Sequence, residues 1–427
     1  MPIGLIVKIA ESIKSPSENH QGFAQAITHN HSAYTTENEE LYASMSRPRI
    51  AFITEDDPRD KRSWSGTNHF LWKTIEKYIG EVEILGPYTG QPTRFFCSAF
   101  NYLTLRLLGK RFDYRHSNLF RNVYGRHFSQ LLSQKKYDLV IISSSIASAS
   151  GINTTLPVVY INDRSIAGAM NYHKVLTQLF SFSKKQSLAN DLLAISNSHI
   201  AAFCSHWAAD AAKNTYGFTD EKVKVIPFGA NLETIPPEPA PVEFPGELVK
   251  LLFVGVNWED KGGPVAYEAF RYLLKEGVNV EFTVVGCTPP ENMWHGKMNV
   301  TGFLDKNNPE DFAVLNDLFR NAHFLILPTK FEAYGLVFCE AAANGVPVLA
   351  PATGGIPTIV ENNVTGFLLP ENSSGEDYGE KIYSVISNPE QWQSMRMAAY
   401  RKYKSQLNWD AWGTTMNSVL KEKGIIS

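Results

Sequence analysis

Cysteine is scarce and scattered in this chain. There are four, Cys97, Cys204, Cys287 and Cys339; three lie in apolar runs, and no two are spaced as Cys-x-x-Cys. That usage argues against a zinc ribbon and against a disulfide framework, and it suits a reducing, cytoplasmic compartment. Long uncharged apolar runs are missing as well: none approaches the ~18–20 residues needed to span a bilayer. The N-terminal stretch "MPIGLIVKIAESIKSPSENH" lacks the basic start, extended apolar core and small-residue cleavage site of a secretory leader. Neither sign of charge dominates, with 40 Lys and Arg against 43 Asp and Glu, so bulk electrostatics gives no reason to expect a nucleic-acid partner.

What is present is length and core. A chain of 427 residues, 44% of them hydrophobic, has material for two or three domains. Residues 1–47 are polar and without clear periodicity, and read as a poorly ordered or loosely docked extension. At "RPRIAFITEDD" the character changes. Ile50 to Thr54 form the short, β-branched apolar run of a buried parallel strand. "SWSGTNHFLWKTIEKYIG" then reads as a turn at Ser65-Gly66 and a helix, and "EVEILGPY", "YDLVIISSS", "LPVVYIND", "HIAAFCS" and "KVKVIPFGA" as further strands. Helical segments separate most of them, the pattern of a parallel sheet covered on both faces.

Five prolines between Pro236 and Pro245 break this alternation and mark a linker. Beyond it the alternation restarts with "LVKLLFVGV", a helix from about Gly263, "VEFTVVG", "HFLILP", a helix beginning near Gly335, "PVLAPATGG" and "GFLLP". The expectation is an α/β chain of two Rossmann-like, doubly wound parallel-sheet domains facing across a cleft, over 48–235 and 247–408, joined by a proline-rich linker at 236–246. Ligands of such sheets sit at the carboxyl ends of the strands, and a cleft between two of them is a preferred ligand site.

Four features of the second domain fall at strand ends. In "FVGVNWEDKGG" a glycine-rich turn with Lys261 opens a helix; helix dipole, free amides and lysine together suit an anion, although a plain turn with a surface lysine reads equally well. In "LPTKFEAYGLVFCEAAANG" Glu332 precedes the helix and Glu340 lies about one turn inside it. The first amides near Gly335 to Val337 could hold a diphosphate, Gly335 letting the backbone approach closely. Glu340 could then accept from a ribose diol and Glu332 from a sugar hydroxyl. The competing reading makes Glu332 an ordinary acid near a helix start and Glu340 a solvated one; against it, "VFCEAAA" is too apolar a face for a casual acid. "PATGGIP" places Gly354 and Gly355 after a strand, either in a loop low over the cleft or in a turn of positive φ. "NVTGFLD" places Gly302 and Phe303 where a nucleobase edge could pass.

With these residues in place, the chain resembles a retaining glycosyltransferase of family 4, glycosyl transferases group 1, of GT-B architecture. The resemblance runs from about Arg49 to the C-terminus and is carried by "KVKVIPFGANLE", "FVGVNWEDKGG", "VTGFLDK", "LPTKFEAYGLVFCEAAANGVPVLAPATGGIP" and "NNVTGFLLP". It implies an N-terminal acceptor domain and a C-terminal donor domain, with a last helix, about 409–427, crossing back to the first. It implies that Glu332 contacts the donor sugar and Glu340 the ribose, that Ala333, Tyr334, Gly335, Leu336 and Val337 lie under diphosphate and sugar, and that Lys261 binds phosphate. Ser65 and Gly66 match the loop that closes on the donor. Three positions depart from the pattern. Val256 stands where many relatives have arginine, Thr358 where many have an acid, and "VIISSSIASAS" lacks the usual histidine. Asp163 is then the nearest polar candidate on the acceptor side, with helix capping as its ordinary alternative.

The reaction implied is transfer of a sugar from a nucleotide diphosphate-sugar to an acceptor hydroxyl with retention, Glu332 and Lys261 being catalytic, as in polysaccharide or glycolipid synthesis. No cofactor is implied, and the absence of a D-x-D arrangement near the expected phosphates leaves no metal required. An epimerase of nucleotide-sugars, or a non-catalytic subunit, could use the same fold. Residues 91–140 hold nine Lys and Arg against two Asp, interleaved with Phe95, Phe96, Phe100, Tyr102, Leu103, Leu105, Leu107 and Leu108. They read either as a basic amphipathic surface for anionic lipid at the inner face of a membrane, suiting a lipid-linked acceptor, or as a core-facing helix pair with a solvated basic face.

Overall fold

A computed structural model describes residues 47–88, 92–170, 172, 174–239 and 248–427. Residues 1–46 of the polar extension and 240–246 of the linker lie outside the described residues. Pro48–Ser427 form one compact unit built on two parallel sheets.

The first sheet holds β1 (Arg49–Ile53), β2 (Glu81–Ile84), β3 (Leu139–Ser143), β4 (Val158–Asn162), β5 (Ile200–Phe203) and β6 (Val223–Val225), in the order β2-β1-β3-β4-β5-β6. The second holds β7 (Val249–Val254), β8 (Val280–Val285), β9 (Met298–Gly302), β10 (Phe324–Ile326), β11 (Val348–Pro351) and β12 (Gly366–Leu369), in the order β12-β11-β10-β7-β8-β9. Every pairing is parallel. Their sequences are continuous apolar runs because both faces are covered. On β1, Ile50 and Phe52 belong to one apolar cluster and Ala51 and Ile53 to the other, the two-residue period of a strand dividing its side chains between faces.

In each sheet the strand order reverses at one place, between β1 and β3 and between β7 and β10. The loops leaving neighbouring strands diverge there and leave a crevice. The helix Thr67–Tyr78 follows β1, the helix Gly263–Lys275 follows β7, and the helix Leu336–Ala343 follows β10. The last helix, Trp409–Glu422, packs on Thr67–Tyr78. Trp409 stacks on Phe228 at 5.7 Å, and Lys77 pairs with Asp410 at 2.8 Å.

The two helices of the basic segment differ. Asn118–Gln134 turns Phe120, Tyr124, Phe128 and Leu132 inward, as a core-facing helix should. Pro92–Leu108 buries only Cys97 and Thr104.

Candidate active site

The two reversal points face one another, and a cavity of about 290 Å³ lies between them. Its floor comes from the loop after β7 and the loop after β10. Gly255 lies under the side chain of Lys261. The two loops are tied, the Lys330 amide donating to the Asp260 carbonyl at 2.9 Å.

Gly335 precedes the helix Leu336–Ala343 in a left-handed conformation, φ +99, and a Cβ there would stand 2.4 Å from the Phe338 ring. Only glycine fits both conditions. No side chain caps this helix. Leu336 and Val337, whose amides lack intrahelical acceptors at a helix start, line the cavity. The N-terminal end of the helix thus offers partial positive charge to the cleft.

Two ion pairs flank that end. Lys261 Nζ lies 2.6 Å from Glu332 Oε2, and Lys306 Nζ 2.5 Å from Glu340 Oε1. Glu340 is 3% exposed, so it is not a solvated helix position; a buried carboxylate of this kind needs a partner, and Lys306 is that partner. Glu332 is held through its backbone, its amide donating to the Tyr172 hydroxyl at 2.9 Å.

The first domain closes the cavity from the other side. Trp64, Ser65 and Gly66 all have positive φ, at 48, 56 and 92. For the two non-glycine residues this costs about 1–2 kcal/mol each. The buried side chain of Asn231 holds the turn, donating to the Ser65 carbonyl at 2.9 Å and accepting from Trp409 Nε1 at 3.0 Å. Trp64 Nε1 in turn donates to Asp163 Oδ2 at 3.2 Å.

Most residues singled out from the sequence meet here. Ser65, Asp163, Lys261, Glu332, Ala333, Tyr334, Gly335, Leu336, Val337 and Glu340 line this cavity. Gly66 begins the adjoining helix. Phe303, 63% exposed, lines a neighbouring cavity of about 240 Å³ that shares Ser65, Val256 and Lys306 with the first; Gly302 ends β9 beside it. Asp163 caps no helix: Ser165 caps Ile166–Ala169, and Asp163 carries the Trp64 indole.

Three positions have contacts that the sequence did not specify. Tyr334 lines the cavity, but its hydroxyl is buried and donates to the Phe228 carbonyl of the first domain at 2.7 Å; burial holds its pKa well above the usual phenol value. Its side chain therefore joins the two domains. Gly354 and Gly355 do not lie over the cleft. Gly354 has φ +54, and a Cβ there would meet the Glu332 carbonyl at 1.9 Å; one on Gly355 would meet the Ala333 carbonyl at 2.2 Å. The double glycine thus supports the Glu332 loop from behind. Thr358, in place of an acid, accepts from the His206 amide across the domain boundary at 3.2 Å.

Lys306, Tyr172 and Asn231 were not singled out from the sequence. Lys306 and Asn231 stand inside quoted segments, but Lys306 meets Glu340 34 positions on and Tyr172 meets Glu332 160 positions on, with no local pattern to signal either contact. Cys339, within the same helix, is a packing residue; burial pushes its thiol up to about 12. Among the described residues, no group of three His, Cys, Asp or Glu side chains could hold a metal ion. Val256 is 70% exposed at the rim.

Residues 235–402 match the family described as glycosyl transferases group 1. The D-inositol 3-phosphate glycosyltransferase of Nocardiopsis dassonvillei is 29% identical over 213 residues, 45% of this chain and 49% of that protein. The chain thus spans about half the length of the curated relatives it matches. Sucrose-phosphate synthase from Thermosynechococcus elongatus superposes with a TM-score of 0.62 at 17% identity, over 89% of this chain and all of that one. Anabaena HepE, solved with UDP and glucose, superposes with a TM-score of 0.58 at 16% identity, over 88% of this chain and all of that one. These likenesses establish the GT-B fold.

Proposed function

We propose, from the premise that residues 235–402 belong to the glycosyl transferases group 1 family, that this chain transfers a hexosyl group from a nucleotide diphosphate-sugar to an acceptor hydroxyl with retention of configuration. One observation carries the reading. An uncapped helix start lies between two lysine–carboxylate pairs, in a cleft at the point where the strand order reverses.

Lys261 pairs with Glu332 and Lys306 with Glu340. On donor binding the diphosphate takes the lysines and the amides of Leu336 and Val337. Glu340 is released to accept from the ribose hydroxyls and Glu332 from a sugar hydroxyl. Lys306 supplies the second cation that Val256 does not. In the chemical step the bond between the anomeric carbon and the phosphate oxygen breaks, and the electron pair leaves with the nucleoside diphosphate. The acceptor oxygen bonds to the same face of the anomeric carbon, and its proton passes to the departing phosphate. The task of the protein is to stabilise the charge growing on that leaving group in a closed cleft. Protein cations and amides carry this stabilisation in the proposal, with no cofactor.

The test is a panel of nucleotide diphosphate-sugars, scored first for protection against thermal unfolding and then for turnover with hydroxyl acceptors. One donor should protect the wild type and not the Glu340→Ala variant. Protection by none, or release of an epimerised donor without an acceptor, would overturn the reading.

A further inference from the structure

The helix Pro92–Leu108 is built inside out. Its inward stripe is small and polar: Cys97 and Thr104 are its buried residues, and Asn101 Oδ1 accepts from the Phe112 amide at 2.8 Å. Its large apolar side chains point away from the protein. Phe95 is 72% exposed, Phe96 68%, Leu103 52% and Leu107 69%. At about 100° per residue, these four fall with Ala99, Phe100 and the exposed Arg106 inside one arc of roughly 140°. A helix on a water-facing surface turns such an arc inward; here, among the described residues, nothing covers it. The patch continues past the helix. The Phe100 ring lies 5.7 Å from Phe112, which lies 5.8 Å from the half-exposed Phe182.

The charge around this face has one sign. Arg106 is exposed within the arc, its Nη1 donating to the Tyr102 hydroxyl at 3.1 Å; Lys110 is exposed just past the helix, and Lys184 and Lys185 are exposed just after Phe182. Residues 92–112 and 180–185 contain no Asp or Glu. We propose that this face docks on the surface of a bilayer containing anionic lipid. The helix lies flat, Phe95, Phe96, Leu103 and Leu107 enter the boundary between headgroups and acyl chains, and the cations meet the headgroups. A second copy of the chain is a poorer occupant, because it would set like charge against like. The helix cannot cross the bilayer: among the described residues none is long and apolar enough. The docking stands independently of the sugar-transfer reading.

Flotation of the full chain with vesicles tests it, using phosphatidylcholine alone and phosphatidylcholine mixed with phosphatidylglycerol. The chain should float with the anionic vesicles, stay behind with the neutral ones, and be released by high salt. The triple variant Phe96→Ser, Leu103→Ser, Leu107→Ser should lose at least about tenfold in partitioning, since each side chain contributes apolar area. The variant Arg106→Glu, Lys110→Glu, Lys184→Glu should lose as much or more. All six positions are exposed, so both variants should keep the wild-type unfolding midpoint. Absence of flotation with anionic vesicles would overturn the proposal. So would flotation that neither variant alters, or a dimer in sedimentation that the serine variant alone dissolves.

Discussion

Replacing Lys261 by alanine removes the cation best placed to follow charge onto the leaving group. A full charge about 4 Å from another contributes about 4 kcal/mol at an effective dielectric constant near 20. The lysine side chain is 26% exposed and shares its charge with Glu332 at 2.6 Å, so roughly half of that is expected to act on the phosphate. The donor diphosphate is already negative when it binds, so part of the loss appears in affinity; the remainder belongs to charge that develops only as the bond breaks. The expected result is a fall of about tenfold in kcat, near 1.4 kcal/mol, with a rise of about threefold in donor Kd. Calorimetry with the nucleotide and steady-state turnover at saturating donor give the two numbers. The variant should remain folded, because Glu332 keeps 15% exposure and its backbone anchor to Tyr172. Lys261→Arg should recover part of kcat. If donor Kd rose with kcat unchanged, Lys261 would only hold the ground state, and the charge argument would be wrong.

Asn231→Ala strands the Ser65 carbonyl and the Trp409 indole, both held by one buried side chain. At about 1–3 kcal/mol for each orphaned group, the unfolding midpoint should drop by several degrees and donor affinity should fall as the turn at Trp64–Gly66 loosens. Gly335→Ala forces a Cβ to within 2.4 Å of the Phe338 ring at φ +99. Left-handed strain of about 1–2 kcal/mol should be relieved by displacing the helix start, so nucleotide affinity should fall at least about tenfold in calorimetry; an unchanged Kd would mean that the amides there do not bind phosphate. Asp191 is fully buried, and burial raises its carboxyl to about 6. A raised carboxyl contributes stability below its unfolded pKa of about 3.9 and loses it as pH rises through the folded value. Asp191→Asn does not titrate, so denaturant unfolding should show stability shifting in favour of the variant, by up to about 3 kcal/mol, between pH ~4 and pH ~7.

Some of this site was legible in the chain because its signals are local. A glycine before an apolar helical run marks a helix start, and an acid, Glu340, in a helix otherwise made of Leu, Val, Phe, Cys and Ala stands out against its surroundings. The strand runs were legible for the same reason, since a sheet covered on both faces demands unbroken apolar segments. The double glycine at Gly354-Gly355 was visible as a backbone requirement, but the carbonyls it accommodates belong to Glu332 and Ala333, some twenty residues earlier, and no spacing rule points to them.

The sequence by itself determined the alternation of strands and helices and the helix start that faces the cleft. These depend on neighbours within one or two turns. Only the tertiary structure decided that Lys306 neutralises Glu340, that Asn231 holds the strained turn at Ser65, and that the apolar side of Pro92–Leu108 faces outward. Charge and period are written along the chain, but the partner of a charge and the side on which a helix is covered depend on segments brought together from far apart, and those exist only once the two sheets have packed.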